Sequence, residues 1–210
     1  VYTSSIGAYS AAEEFFESQS DSGDPMDMFP GWAKRMAELQ IKAYSEEYGL
    51  NWSVVRPCNV YGPGDNFDPN NAMVIPSLIM RISNGENPVR VWGDGSAIRD
   101  FAFSRDVALG VIQALVHGTR GSFVNLGSGR GYSIKDLVET LNDITSFNYE
   151  FDTMIQTFIK QSDVRSFITV YPEIYVDHGQ LDNLGVSEIV NPNYQRILHL
   201  PDRITDIFKT

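Results

Sequence analysis

The sequence predicts an α/β protein in which helices cover a parallel β-sheet. A β-type run at residues 1–5 (VYTSS) is followed by a long helical pattern and then by a second β-type run, NWSVVRP. Two strands joined through a helix form a βαβ unit, whose strands lie parallel and whose helix covers the sheet. The chain has 210 residues, of which 42% are hydrophobic, so it is large enough to bury a core around such a sheet.

The first helix is predicted over WAKRMAELQIKAYSEEYG, after a surface loop at residues 17–28. That loop is rich in Gly, Pro, Ser and Asp, which favour turns. Within the helix, apolar residues recur at three- and four-residue spacing, and Gly49 is a typical C′ residue. These apolar residues are Met36, Leu39, Ala43 and Tyr44. Pro57 ends the strand that follows.

The elements of the second half are predicted from shorter patterns. Residues 59–71 are dense in Gly, Pro, Asn and Asp and predict a loop. The elements predicted after this loop are a helix beginning near Pro76, the strands PVRVWG and IRDFAF, a helix from Ser104 to His117, the strand SFVNLG and the helix SIKDLVETLNDIT. Ser133 is the predicted N-cap of the last helix, with Asp136 at N3 completing a capping box. Beyond Phe147 the pattern predicts no helix.

Charge and composition narrow the class of partner. The formal net charge of -11 argues against nucleic acid and anionic membranes, because both bind a basic surface. No apolar run approaches the ~20 residues of a membrane span, and no signal-peptide pattern opens the chain. Cys58 is the one cysteine, which excludes an internal disulfide and, with only three histidines, argues against a zinc site. We therefore expect a cytoplasmic protein that acts on small molecules.

Four stretches carry residues that belong together in one family of enzymes. They are TSSIGAY (residues 3–9), GWAKRMAE (31–38), VVRPCNVYGPGDN (54–66) and VWGDGSAIRDFAFSRDVA (91–108). In this order they resemble the extended short-chain dehydrogenase/reductases, which include the NAD-dependent nucleotide-sugar epimerases and dehydratases. The NVYGPGDNF loop is similar to that of the GDP-fucose-synthase branch. The resemblance covers roughly residues 1–145, and it implies a hydride passed between NAD or NADP and a sugar carbon.

The resemblance implies an incomplete Rossmann-like parallel sheet with a smaller mixed α/β substrate-binding region. Residues 1–60 would form the C-terminal half of the NAD(P)-binding domain and residues 61–147 the nucleotide-sugar region, interleaved with the last sheet strands, while residues 148–210 form an unassigned tail. The chain opens inside a strand without an initiator methionine. We therefore expect the glycine-rich cofactor loop to be missing and the chain alone to bind NAD(P) poorly. The glycines of NLGSGRG are taken as a turn, because they do not open directly onto a helix.

The resemblance also assigns site residues. Ser5 falls on the catalytic Ser/Thr position, and Lys34 on the lysine that favours the tyrosine phenolate and holds the cofactor ribose. Pro57 and Asn59 fall beside the cofactor. The residues on nucleotide-sugar positions are Asn59, Arg81, Trp92 and Arg99. A guanidinium at position 99 suits a diphosphate, since it can make two parallel hydrogen bonds. The expected partner is a nucleoside-diphosphate sugar, bound by a homodimer.

Each of these assignments has a structural alternative. Ser5 could cap its own turn, and Lys34 could be a solvated residue of an amphipathic helix. Trp92 could be a core tryptophan on a half-buried strand. Arg99 could form a surface ion pair with Asp94 or Asp100.

Three departures from the family pattern limit the chemistry. The family places its catalytic tyrosine four residues before the lysine, where this chain has Pro30. The Asp-Glu pair of the dehydratases is replaced by Ile6 and Gly7, which favours an epimerase or reductase. The epimerising Cys and His of the GDP-fucose-synthase branch are replaced by Gly7 and Met73. A catalytically inactive protein that still binds a nucleotide sugar is the alternative.

Overall fold

The computed structural model describes residues 1–19, 22–119, 121–152 and 168–169. The helices in this part of the chain are α1 (Met28–Tyr48), α2 (Val74–Ser83), α3 (Ser104–His117) and α4 (Ile134–Thr145). The first five strands are β1 (Tyr2–Thr3), β2 (Glu14–Phe15), β3 (Val54–Pro57), β4 (Asn59–Tyr61) and β5 (Val89–Trp92). The others are β6 (Ile98–Phe103), β7 (Phe123–Leu126), β8 (Gly131–Ser133), β9 (Tyr149–Asp152) and β10 (Ile168–Thr169).

A parallel sheet of three strands in the order β1-β3-β7 organises the first part of the chain. Tyr2 pairs with Val54, and Val54 pairs in turn with Phe123. The helix α1 connects β1 to β3, so the predicted βαβ unit is confirmed. Both faces of β3 are buried, as expected for a central parallel strand that helices cover.

A second group of strands surrounds the larger hydrophobic core. β4 pairs in parallel with β6, β6 pairs antiparallel with β8, and β5 pairs in parallel with β9. The helices α2 and α4 bury their apolar faces against these strands, with Ile75, Leu78, Leu137 and Leu141 in the core. Between β6 and β8 the chain passes through α3 and returns to the first sheet as β7. The mixed α/β character predicted for this region is thereby confirmed.

One prediction about the elements is wrong in part, and one segment left unassigned contains a strand. The loop predicted at residues 59–71 begins with the strand β4, which forms because it pairs with β6 some forty residues later, starting at Asn59 and Phe101. The tail at residues 148–210, which the sequence left unassigned, contains β9, which pairs with β5. Pairing across such distances leaves no local signal. The part of the tail at residues 153–167 and 170–210 lies outside the described residues.

The buried face of α1 is not the face that carries its apolar residues. Its buried residues are Gly31, Arg35 and Glu38, whereas Met36 and Leu39 are 54% and 47% exposed. The polar side chains can be buried because they have internal partners: the Arg35 guanidinium donates to the carbonyl of Ala8. The apolar stripe thus predicts the helix correctly, while the stripe itself lies on the exposed side of α1.

The predicted ends of two helices are confirmed. Gly49 follows α1 with φ of 68°, a left-handed conformation in which glycine carries no penalty. At α4 the Ser133 hydroxyl accepts from the backbone N–H of Asp136, and the Asp136 carboxylate accepts from that of Ser133. The capping box of α4 is therefore complete.

A buried ion pair joins α1 to the centre of the first sheet. The Arg56 guanidinium donates to both carboxylate oxygens of Glu38, at 2.9 and 2.5 Å. It also lies 4.3 Å from the centroid of the Tyr9 ring and 4.4 Å from that of Phe123. The Tyr9 hydroxyl donates to Asn125 Oδ1 at 2.8 Å, which continues the network into β7. Both charges of the pair are compensated inside the protein.

Among the described residues, no helix has the length and apolarity that crossing a membrane requires. The same part of the chain contains no group of three or more His, Cys, Asp and Glu side chains arranged to hold a metal ion.

Candidate functional site

The candidate site lies where β1 ends, and Ser5 forms its first part. Ser5 is the N-cap of a 3-10 turn, Ile6–Ala8, and its Oγ accepts the backbone N–H of Gly7 at 3.0 Å. The hydroxyl therefore has the capping role that the structural alternative gave it. Its own O–H remains able to donate, because a hydroxyl accepts and donates at once. The Ser5 side chain is half-buried, so this donor can meet a ligand.

The Lys34 side chain reaches back from α1 to the strand that leads into Ser5. Its Nζ donates to the backbone oxygen of Thr3 at 2.9 Å and lies 5.3 Å from the centroid of the Tyr2 ring. An ammonium has three donors, so this bond leaves further donors on the same nitrogen. The crossover from β1 through α1 thus brings Lys34 to the segment that carries Ser5.

A glycine contact holds α1 against this turn. A Cβ added to Gly31 would collide with the backbone oxygen of Gly7 and would lie 2.6 Å from Pro25 Cβ. Glycine at position 31 is therefore needed for the first turn of α1 to approach the Ser5 segment. Pro30 and Phe29 lie in the same turn and are exposed, and neither side chain carries a hydroxyl. Pro30 suits this first turn because its fixed φ is that of a helix.

Pro57 and Asn59 lie where strand β3 leads into strand β4. Pro57 is buried at the end of β3, and the Asn59 amide donates to the backbone oxygen of Asp100 at 2.9 Å. The Asp100 carboxylate accepts from the backbone N–H groups of Ser128 and Gly129 at 2.7 and 3.0 Å. Burial raises the pKa of Asp100, and these hydrogen bonds partly oppose that effect. This side chain was missed by the sequence analysis, which treated Asp100 only as an ion-pair partner.

The Asp100 contacts also decide the role of the glycine-rich turn. The backbone N–H groups of Ser128 and Gly129 point at a carboxylate of the protein itself, and the turn leads into strand β8. A phosphate site needs such N–H groups free at a helix N-terminus. The turn is therefore a structural one, as the sequence predicted.

Cys58 lies beside Asp100 and is buried. Its Sγ is 3.5 Å from Asp100 Oδ1, and burial together with this carboxylate raises the pKa of the thiol. We expect Cys58 to react with iodoacetamide at least about 100-fold more slowly in the native protein than in urea, because the thiolate is the reactive form. Mass spectrometry at successive times measures both rates. Equal rates would contradict the buried position of the thiol.

Trp92 is the last residue of strand β5, and Arg99 lies near the start of strand β6. Arg99 is half-buried on β6, where its Nη1 donates to the backbone oxygen of Ile98 at 2.7 Å, and burial lowers the pKa of the guanidinium. Trp92 is 74% exposed, which rules out the core tryptophan of the structural alternative. The Trp92 ring is thus open to a ligand.

The Arg81 guanidinium is hydrogen-bonded to other groups of the protein. Its guanidinium donates to both carboxylate oxygens of Glu86 and to the backbone oxygen of Arg90. These contacts tie the end of α2 to β5. A nucleotide-binding role for Arg81 stays a prediction, and it would require the guanidinium to leave Glu86.

The NAD(P) site implied by the resemblance can be tested against these contacts. Lys34 and the Ser5 hydroxyl, at the carboxyl end of a parallel strand, fit the nicotinamide-ribose end of such a cofactor, because ligands of open α/β sheets bind there. The glycine-rich turn at residues 127–131 does not suit the pyrophosphate, because Asp100 accepts the N–H groups of Ser128 and Gly129. The described residues thus fit one end of the cofactor.

Comparison with known proteins agrees with this arrangement. Residues 1–127 match the model of the NAD dependent epimerase/dehydratase family. The chain is 36% identical over 128 residues to GDP-L-fucose synthase 1 of Arabidopsis thaliana, covering 59% of this chain and 40% of that protein. It is 33% identical over 136 residues to the GDP-L-fucose synthase of Sinorhizobium fredii, covering 62% of this chain and 43% of that protein.

A solved structure shares the fold over nearly the whole chain. It is the UDP-glucose 4-epimerase of Thermotoga maritima with UDP-glucose, which superposes with a TM-score of 0.64 at 26% identity. The superposition covers 99% of this chain and 62% of the epimerase. The chain therefore spans less than two thirds of the length of each of these proteins.

Proposed function

The chain belongs to the NAD dependent epimerase/dehydratase family, and from this premise we propose that it is part of an NAD(P)-dependent epimerase or reductase of nucleoside-diphosphate sugars. The observation that carries the proposal is the bond from Lys34 Nζ to the backbone oxygen of Thr3, at 2.9 Å. It brings a cation to the segment that ends in the Ser5 hydroxyl. A cation beside a hydroxyl donor is suited to a sugar oxygen on which negative charge develops.

In this proposal Lys34, Pro57 and Asn59 line the nicotinamide-ribose end of NAD or NADP. The cofactor, when bound, supplies or accepts the hydride. Ser5 donates a hydrogen bond to the reacting sugar oxygen, and Lys34 holds the cofactor ribose and favours negative charge nearby. The buried Pro57 would lie beside the cofactor, where its apolar ring would help to exclude water.

The nucleotide end of the substrate would lie against β5 and β6. Arg99 would bind the diphosphate. Burial lowers the pKa of its guanidinium, and an anion beside the guanidinium would favour the charged form and offset that effect. Trp92 would contact the base or ribose through its exposed ring. Asn59 and Arg81 are assigned to the same substrate, and Asn59 is already oriented by Asp100.

The test is a titration of the full-length protein with NADH or NADPH and a panel of GDP-, UDP- and dTDP-linked sugars, with and without a 4-keto group. Loss of nicotinamide absorbance with one of these substrates, or conversion of the sugar to an epimer detected by NMR, supports the proposal. Binding of a nucleotide sugar by calorimetry without any turnover favours the inactive alternative, which Pro30 at the tyrosine position motivates. Neither binding nor turnover with any member of the panel would contradict both.

We also propose that the protein is a homodimer that pairs through α1. Exposed apolar residues follow α1 at alternating three- and four-residue spacing, which is the spacing of a helix-packing seam. They are Phe29, Trp32, Met36, Leu39 and Ala43. Phe29 is 84% exposed. Exposed apolar stripes of this kind mark sites of association.

Replacing Met36 by glutamate should convert a dimer into a monomer, because two like charges would then meet in an apolar seam. Light scattering after size-exclusion chromatography of the full-length protein measures the mass. The matched control is Ile112→Glu, which places the same charge on an exposed apolar residue of α3. A wild-type monomer, or a dimer that survives Met36→Glu, would argue against this interface.

The division of the chain at residues 60 and 147 and the cytoplasmic location stay predictions. The sheet order supports the interleaving, since β7 returns to the strands β1 and β3.

A further inference from the structure

Asp27, just before α1, is a carboxylate that the sequence analysis did not consider. Its backbone N–H donates to the backbone oxygen of Gly7 at 3.3 Å. A Cβ added to Gly7 would overlap Asp27 Oδ2 and would lie 2.9 Å from its Cγ. The carboxylate therefore packs directly on the bare Cα of Gly7, two residues after Ser5.

The Asp27 side chain does not cap α1, the helix that follows it. It occupies the N-cap position of α1 but makes no side-chain capping bond. An aspartate at this position ordinarily accepts from the second or third backbone N–H of the helix. Asp27 is also exposed, so a ligand at the Ser5 turn can reach its oxygens.

The spacing along α1 places Asp27 and Lys34 on either side of the Ser5 turn. They are seven residues apart, which is two helical turns or roughly 10 Å along the axis. Gly31 lies between them on the same face, where the backbone oxygen of Gly7 and the ring of Pro25 pack against it. The contact of Gly31 with Gly7 therefore holds the turn that follows Ser5 against α1, between Asp27 and Lys34 in sequence.

We propose that Asp27 is the catalytic base that removes a proton from the sugar carbon next to a carbonyl. This rests on the proposed function and adds to it one proton removal, the first step of an epimerisation at that carbon. The Ser5 O–H donates to the carbonyl oxygen, and the neighbouring carbon then lies toward Gly7 and Asp27. The C–H bond breaks and its proton goes to the Asp27 carboxylate. The electron pair forms a double bond to the carbonyl carbon, whose oxygen takes the negative charge beside Ser5 and Lys34.

The proton transfer is measured without cofactor turnover. The full-length protein is incubated in D2O with a nucleoside-diphosphate 4-ketohexose, and deuterium uptake beside the carbonyl is followed by mass spectrometry against a sample without enzyme. Asp27→Asn should lower the exchange rate at least about 100-fold, as expected for loss of a positioned base. Asp27→Glu should restore part of the exchange, because it keeps a carboxylate.

Two further variants separate the carboxylate from the fold. Gly7→Ala keeps the aspartate at position 27, but the new alanine Cβ pushes the Asp27 carboxylate out of its position. The exchange rate should therefore fall as in Asp27→Asn. Asp24→Asn removes an exposed carboxylate three residues away and should leave the exchange rate unchanged. Melting temperatures of all variants check folding.

The outcomes distinguish this inference from the proposed function. Exchange that persists in Asp27→Asn overturns the role of Asp27. A wild-type protein that reduces the ketosugar with NADPH but exchanges no deuterium also overturns it, while the proposed function stands. Failure of the wild type to exchange, reduce or bind any nucleotide sugar overturns both.

Discussion

Replacing Arg56 by leucine should lower the free energy of unfolding by about 3–5 kcal/mol, the usual cost of removing one partner of a buried ion pair. The Arg56 and Glu38 side chains are 0% and 2% exposed, so the Glu38 charge would remain in the interior without its partner. The Tyr9 and Phe123 rings would also lose the guanidinium between them. Urea unfolding followed by circular dichroism measures the change.

The control is an ion pair of the same chemistry on the surface. Arg90 pairs with Glu150 at 2.8 Å, with side chains 71% and 49% exposed. Arg90→Leu should therefore cost at most about 1 kcal/mol. The double variant of Arg56 and Glu38 to leucine should lose less than the sum of the single changes, because no charge is left unpaired. A loss for Arg56→Leu as small as that for Arg90→Leu would contradict the role of the buried pair.

Arg99→Ala in the full-length protein should weaken nucleotide-sugar binding by roughly 2–4 kcal/mol, as when one partner of a charge-assisted contact is removed. The half-buried guanidinium is held by its bond to the Ile98 carbonyl, so it is oriented before a diphosphate arrives. Arg99→Lys should recover only part of the affinity, because an ammonium cannot make the paired contact. Calorimetry with the nucleotide sugar measures the affinity.

Arg105→Ala is the control for this experiment. Arg105 is exposed at the start of α3, so the change removes the same charge from the surface. It should leave both the affinity and the melting temperature nearly unchanged. A structural role for Arg99 makes the opposite prediction, a lower melting temperature with unchanged affinity. That result would remove Arg99 from the site.

The sequence by itself determined the elements whose signals are local. The strand Ile98–Phe103 and the helix Ser104–His117 were predicted to the residue. The capping box at Ser133 and the left-handed Gly49 were also predicted, because side-chain geometry within one turn decides both. Order and spacing of four stretches identified the family, since such motifs keep the residues that chemistry requires.

Only the tertiary structure decided which side chains meet. Asp27 is one of many acidic residues in the sequence, and it becomes a candidate base because Gly7 has no Cβ and Gly31 lets α1 approach. The carboxylate of Asp100 likewise finds its donors Ser128 and Gly129 from a distant turn. The apolar stripe of α1 faces outward because Arg35 and Glu38, which have partners inside the protein, occupy its inner face. Such contacts depend on strand pairing and packing over long separations, for which a single sequence has no local pattern.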